Sequence, residues 1–401
     1  MAFKNILAIT PDGHEGYRSS RGFKKDDPAI SYLDFFPLIR RHGIREAQRL
    51  IAQAVADKKP DLLLVTLLGA NYQFPIDFFI DLRRLAPLVF FFYDDENYLE
   101  VHGRYYGQAA DAVVTTDYFG TQAYSRMGVP GIFYPPNISS ELFYPVAVDP
   151  DIDVCFLGDC TKSDRMDYVN FLLSNGIKVE IFGKGSKGGH IDASRMSEIY
   201  CRAKINLNFS KTDDLSWVNE AEPLLRRVRQ NKGRPVEIAL TGSFCLTEYY
   251  PALPHLFEIG KEIGYFCDKE SLLAKVRYYL ENEDERRTVA KRGYHRALED
   301  YEAIRNIPRI LEKIEDALNS RPCPVFPTAY MNDDVKERQV NVLFVHLISA
   351  LRRRQIGVAL EIFPTLFQHG LRVFAIGALS GVSRGISILR KQMRHGSKKS
   401  S

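Results

Sequence analysis

Residues 234–248 read Arg234-Pro-Val-Glu237-Ile-Ala-Leu-Thr-Gly242-Ser-Phe-Cys-Leu-Thr-Glu248, and 256–266 continue as Leu256-Phe-Glu-Ile-Gly-Lys-Glu-Ile-Gly-Tyr-Phe266. A short helical run headed by Arg234 and Glu237 meets a glycine turn. An apolar strand follows, then an acidic loop that ends in a second strand. A helix N-terminus offers unpaired N–H groups and a positive dipole end, which suit a phosphate. A carboxylate one turn in can accept hydrogen bonds from ribose hydroxyls, and a nearby arginine can neutralise a diphosphate.

Outward from this stretch, strands alternate with helices, the pattern of parallel α/β sheets. In the first half, residues 5–10, 61–68, 88–93, 112–116 and 131–134 read as strands, with helices over 43–57 and 77–86. The runs at 61–68 and 88–93 are continuously apolar, as expected of strands covered on both faces. A turn-rich link from Pro135 to Pro150 leads to a second series. Its strands fall at 154–157, 179–182, 205–209 and 244–247. Its helices fall at 164–175, 194–203, 235–240, 269–281, 284–300 and 301–318. Two Rossmann-like halves facing a cleft are the economical architecture: residues 1–145, then 151–320. Residues 321–401 form a Pro-rich linker and a basic helical extension.

Length and composition set further bounds. A chain of 401 residues holds two core-bearing domains and a tail, and 45% hydrophobic with 26% charged residues is ordinary for a globular protein. Cys155, Cys160, Cys201, Cys245, Cys267 and Cys323 contain no CxxC pair and read as thiols of a reducing compartment. The N-terminal apolar run reads as a first strand, too short for a signal peptide, and no apolar run reaches transmembrane length. The expected location is cytoplasmic. The net charge of +4 hides an asymmetry. Residues 352–401 carry ten Lys and Arg against Glu361 alone, a balance of +9, which leaves −5 on residues 1–351. Such polarity points to an anionic partner for residues 351–399, and basic amphipathic helices lie in the interface of anionic bilayers. A helix pair for dimerisation, or helices packed on the catalytic halves, are the alternatives. No aromatic and basic readout motif accompanies the charge, so nucleic acid is not expected.

The layout of 234–266 resembles the donor half of GT-B glycosyltransferases of family 4 and its group 1 relatives, in particular their spore-maturation-protein-B-like branch. Family 4 enzymes carry two glutamates separated by seven residues, the second of which caps the nucleotide ribose. Glu237 matches the second, and Arg229 stands where the first would be. That branch carries an arginine just ahead of the retained glutamate, as Arg234 does here. Sugar-hydroxyl recognition and retaining stereochemistry are therefore not carried over. The resemblance implies a metal-independent transferase whose donor is a nucleotide-diphosphate sugar. It implies no further cofactor, and an acceptor hydroxyl on a glycan or lipid-linked glycan. No HExxH, Cys/His cluster or spaced Asp motif marks a metal site.

Residue by residue, the donor candidates are Gly158 in the first strand-to-helix loop of the second half, Arg165 near the start of its helix, and Gly183 in the Gly-rich run 182–189. Lys204, Arg234, Glu237 and Gly242 complete them, with Asn208 and Ser210 as polar lining. For the acceptor side, Asp95 in Asp94-Asp95-Glu96 ends a buried strand, and His102 and His14 lie in cleft-facing loops. Each can serve as the base that deprotonates a hydroxyl. Two other classes stay open at this point. A nucleotide-sugar epimerase of the same shape would form product from the nucleotide sugar alone. A non-catalytic scaffold docked by its tail would not turn over. The sequence sets no oligomeric state.

Overall fold

A computed structural model describes residues 3–11, 29–67, 74–99, 103–162, 164–211, 229–320, 333–352, 354, 356–367, 370–379 and 382. Two parallel sheets dominate these residues. The first holds β1 (Ile6–Thr10), β2 (Ile30–Asp34), β3 (Leu62–Thr66), β4 (Leu88–Phe92), β5 (Ala112–Thr115) and β6 (Gly131–Phe133), in the order β2-β1-β3-β4-β5-β6. The second holds β7 (Ile152–Leu157), β8 (Val179–Phe182), β9 (Ala203–Asn208), β10 (Cys245–Glu248) and β11 (Gly264–Phe266), in the order β11-β10-β9-β7-β8. Strand order reverses between β1 and β3 and again between β7 and β9. Open α/β sheets bind ligands outside the carboxyl ends of strands at such points.

The apolar runs of the first half are explained by two covered faces. Leu88, Phe90 and Phe92 join one buried cluster, while Val89 and Phe91 join the opposite one. One face is covered by α1 (Phe35–His42), α2 (Ile44–Lys58) and α3 (Ile76–Arg83). Strand β2 and helix α1 were not anticipated. The strand lies at the sheet edge and is only half-buried along its length, so it lacks the continuous apolar signature of its neighbours. Beyond β4, the chain forms α4 (Asp95–Tyr98), α5 (Arg104–Tyr106) and α6 (Gly120–Arg126).

In the second half, α7 (Arg165–Ser174), α10 (Lys269–Glu281) and α11 (Glu283–Asp300) cover one face of the sheet. Helices α8 (Ala193–Arg202) and α9 (Arg234–Leu240) cover the other. The chain then crosses back. Helix α12 (Ala303–Asn319) lays Ile307, Ile310, Leu311 and Ile314 against Ile6, Leu64, Phe91 and Ile132 of the first sheet. That apolar spacing is one helical face, and it closes the side of the sheet that α1 to α3 leave open. The segment 303–319, read in sequence with the second half, therefore packs on the first.

The C-terminal extension packs on the opposite face of the first sheet, beside α1 to α3. In α13 (Asp333–Arg352) and α14 (Ile356–Thr365), Val340, Leu343, Leu347, Ala359 and Ile362 join the core of the first half. Residues 371–379 are helical as well. Among the described residues no helix is long and apolar enough to cross a membrane.

Candidate functional site

The carboxyl ends of the two sheets meet. On the side of the second half, β7 ends at Leu157 and turns through Gly158 and Asp159 into α7. The Arg165 guanidinium donates from Nη1 to the Asp159 carbonyl at 3.1 Å. A side chain at Gly158 would press on the Phe156 ring at 2.9 Å and come within 3.8 Å of Arg165 Nη1. Glycine here lets the arginine lie over the strand end.

Segment 229–233 runs between the halves. Arg229 pairs through Nε with Glu248 at 2.7 Å, and Glu248 is buried at the end of β10. The same carboxylate accepts the Ser210 N–H at 2.9 Å and the Lys211 N–H at 3.0 Å. Gln230 N–H donates to the Ser210 carbonyl at 2.9 Å. Asn231 then reaches the first half. Its backbone N–H donates to Glu96 Oε1 at 2.8 Å and its side-chain Nδ2 to the Thr116 carbonyl at 3.2 Å. Lys232 is largely buried beside these contacts. Desolvation depresses its ammonium below the usual lysine range. Arg165 and Lys162 push in the same direction, while Asp94 and Glu96 oppose it. Lys232 and Arg165 thus converge on the cleft from two different loops.

Helix α9 begins next. Arg234 Nη1 pairs with Glu237 Oε2 at 2.6 Å and bonds the Tyr200 hydroxyl, with its guanidinium 5.9 Å from the Tyr200 ring centre. The arginine is committed to Glu237 and to α8, so its geometry orients the glutamate. A second contact between the halves lies to one side, where Tyr118 stacks on His255 with ring centres 3.8 Å apart. An open cleft of 540 Å³ adjoins His255, and its lining includes none of Arg165, Lys232 or Glu237.

On the side of the first half, Asp94 has a left-handed backbone (φ 59°), which Asp tolerates better than most residues, and its side chain is exposed. The turn sends the next two acids inward. Asp95 is buried, and its Oδ2 accepts from Thr115 Oγ1 at 2.6 Å and Tyr124 Oη at 2.9 Å. Burial pushes its carboxyl up to about 7, with Thr115 and Tyr124 resisting. Gly107 makes room for Tyr124, since a side chain there would sit 2.7 Å from its ring. Burial also raises the Glu96 carboxyl well above the usual range, followed by the charge of Asp117, against the Asn231 N–H.

Several expected site residues lie elsewhere. Lys204 stands at the amino end of β9, paired with Asp153 at 2.7 Å, across the sheet from Gly158 and Arg165. Gly242 is the turn after α9, with φ 72°, one helix length from Arg234. Lys204 lies at the start of its strand and Gly242 ahead of the next, whereas ligands gather beyond strand ends. Gly183 allows a close approach, because a side chain there would collide with the Gly158 carbonyl. The surrounding Gly-rich loop spends backbone N–H groups on itself, Gly183 to Gly189 at 2.6 Å and Ser186 to Gly183 at 3.1 Å. It buttresses the β7 turn, where Cys160 N–H meets the Lys184 carbonyl at 2.9 Å. Asn208 and Ser210 are buried and tie β9 to β10. His14 and His102 lie outside the described residues. Lys232 and Glu96, which flank the Asn231 contact, were not singled out in the sequence; the Lys-Gly-Arg run at the head of α9 was the signal for Lys232.

Residues 166–312 match the family model described as "Glycosyl transferase-like". The match runs from the second residue of α7 into α12 and takes in β8 to β11, Lys232 and Glu237. Comparison with curated proteins finds no match. Among solved structures, Anabaena HepE in complex with UDP-glucose is similar at 12% identity and TM-score 0.56, over 78% of this chain and 99% of that one. A glycosyltransferase from Rickettsia africae ESF-5 is similar at 12% identity and TM-score 0.55, over 80% and 100% of the two chains. Sucrose-phosphate synthase from Thermosynechococcus elongatus is similar at 12% identity and TM-score 0.53, over 78% and 100%. At such identities the likeness is one of fold, and the fold is GT-B: two parallel-sheet Rossmann-like halves. The family match and the fold together support a GT-B glycosyltransferase, in agreement with the sequence reading.

Proposed function

We propose that this chain transfers a sugar from a nucleotide-diphosphate donor to an acceptor hydroxyl. The observation that carries the reading is that the turn from β7 into α7 and the glycosyltransferase-like region that follows it bring Arg165, Lys232 and Glu237 to the strand ends of the second half. Glu237, oriented by Arg234, takes the ribose hydroxyls. Arg165 and Lys232 face the diphosphate, and their charge stabilises it as it departs. HepE holds UDP-glucose, and we assign a nucleoside-diphosphate sugar of that kind to this site. Arg229 in place of a first glutamate, with Arg234 ahead of Glu237, favours the spore-maturation-protein-B-like branch.

The first half presents the acceptor, a hydroxyl on a glycan or lipid-linked glycan. Asp95 is covered and braces the ends of β4 and β5 in this closed arrangement. Asp94, exposed at the same turn, has access to a bound hydroxyl and joins Asp95, His14 and His102 as a candidate base. The bonds from Asn231 to Glu96 and Thr116 hold the halves together, which limits water at the donor.

Thermal unfolding with nucleoside diphosphates and their sugars tests the donor site, since a ligand of the native state raises the melting temperature. One base should stand out. Its shift should vanish in Glu237→Ala and shrink strongly in Arg165→Ala. An unmoved melting temperature with every nucleotide would defeat the proposal. Incubation with donor alone and with donor plus acceptor then separates transfer from epimerisation.

A further inference from the structure

The C-terminal helices cover the first half with one face and turn a second apolar face to solvent. In α14, Ala359 and Ile362 are buried, as is Leu366 just after it, while Ile356, Leu360 and Phe363 are 56%, 69% and 53% exposed. Their spacing of four and three residues puts the exposed trio on a single stripe. The helical stretch 371–379 repeats the arrangement: Val373 and Ala378 are buried, and Leu371 and Leu379 are 75% and 73% exposed. Eight large apolar side chains are exposed between Leu351 and Val382, as many as in all the other described residues together. Single exposed apolar residues are ordinary, but a concentration on one face marks an interaction surface.

Charge selects the occupant. Arg352, Arg354 and Arg372 are exposed beside the apolar stripes. The sequence beyond residue 382 adds six Lys and Arg and no acid. A second copy of this chain would bring the same positive charge to the contact and be repelled. An anionic bilayer offers phosphates to the arginines and hydrocarbon to the leucines within a few ångströms of each other. With no helix among the described residues able to cross a membrane, the geometry is that of a face lying in the interface.

We propose that the described residues between Leu351 and Val382 form a peripheral docking face for anionic membrane. Because these helices pack on the core of the first half, docking would bring that half to the lipid surface. Only the corollary that a lipid-linked acceptor is delivered there rests on the transferase reading; docking itself does not.

The test is flotation of the full chain with vesicles of phosphatidylcholine alone and of phosphatidylcholine with about 30% phosphatidylglycerol, at low and high salt. The chain should float with the anionic vesicles, much less with the neutral ones, and less in high salt. Leu360→Asp with Leu371→Asp should weaken flotation by about tenfold or more, and Arg352→Ala with Arg372→Ala should reduce its salt dependence. Leu360→Ser with Phe363→Ser is the milder replacement if the aspartates lower the melting temperature. Absence of the wild-type chain from the floating fraction would overturn the proposal, as would binding undiminished in well-folded variants. A lipid-free dimer dissolved by the same variants, without flotation, would show that the face belongs to a second copy. Nucleotide-dependent melting, measured alongside, reports on the donor site independently.

Discussion

Glu248 and Glu96 each lie at the carboxyl end of a central strand, one in each half, and segment 229–233 touches both. Their surroundings differ. Glu248 is held inside one half by the N–H groups of Ser210 and Lys211 and by the Arg229 guanidinium. Glu96 receives the Asn231 N–H from across the cleft, and its other oxygen is buried without a hydrogen bond. A carboxylate with several donors anchors a loop permanently. A carboxyl with one donor, its charge disfavoured by burial, makes a link that is cheap to break. The segment is therefore fastened to the second half and only clasped to the first, an arrangement that lets the cleft between them open.

Removing the anchor should have the largest effect. Glu248→Ala leaves Arg229 without its buried partner and should destabilise the protein by about 3 kcal/mol or more, measured by urea unfolding. Glu248→Gln, which keeps an acceptor for the N–H groups, should cost less; equal costs would mean that the ion pair adds nothing. The first half should respond to pH instead. The Asp95 carboxyl is raised to about 7 by burial, against about 3.9 unfolded. The fold thus binds the proton more tightly than the unfolded chain. This contribution is complete below about pH 4 and is lost as pH rises through 7. Asp95→Asn should flatten that decline, a difference of about 2 kcal/mol between pH 5 and 7. An unchanged slope would place the titration elsewhere.

The clasp gives a smaller and local signal. Glu96→Ala should speed hydrogen exchange at the Asn231 amide by about tenfold, the loss of one hydrogen bond. The cores of both halves should keep their protection. Glu96→Gln, whose amide oxygen still accepts, should stay near wild type. Least of all should change in Lys204→Ala. Its half-exposed pair with Asp153 is worth under about 1 kcal/mol, and donor affinity should hold within about twofold, since the pair sits at the wrong end of the sheet. A large loss of affinity there would reverse the assignment of sheet ends.

Much of this architecture was legible in the residues. Apolar runs such as Leu88–Phe92 can be strands only if both faces are covered, and helical spacing around them requires the covering layers. The pair Arg234 and Glu237 was legible because three residues along a helix is a local distance. Lys204, at the start of β9, and Gly242, ahead of β10, stand at the sheet end opposite Arg165. Asn231 and Glu96 were not legible as partners. They are 135 residues apart in the chain, and only the meeting of two sheets brings their loops together.

The sequence by itself determined two alternating α/β series, a donor-type helix headed by Arg234 and Glu237, and a strongly basic C-terminal region. These follow from periodicity, local spacing and charge, which act over a few residues. Tertiary structure decided which carboxylates are covered, that α12 returns to the first half, and that the C-terminal helices keep an apolar face in water. Such facts depend on which surfaces are left over after two cores have packed, and packing joins residues that the chain keeps far apart.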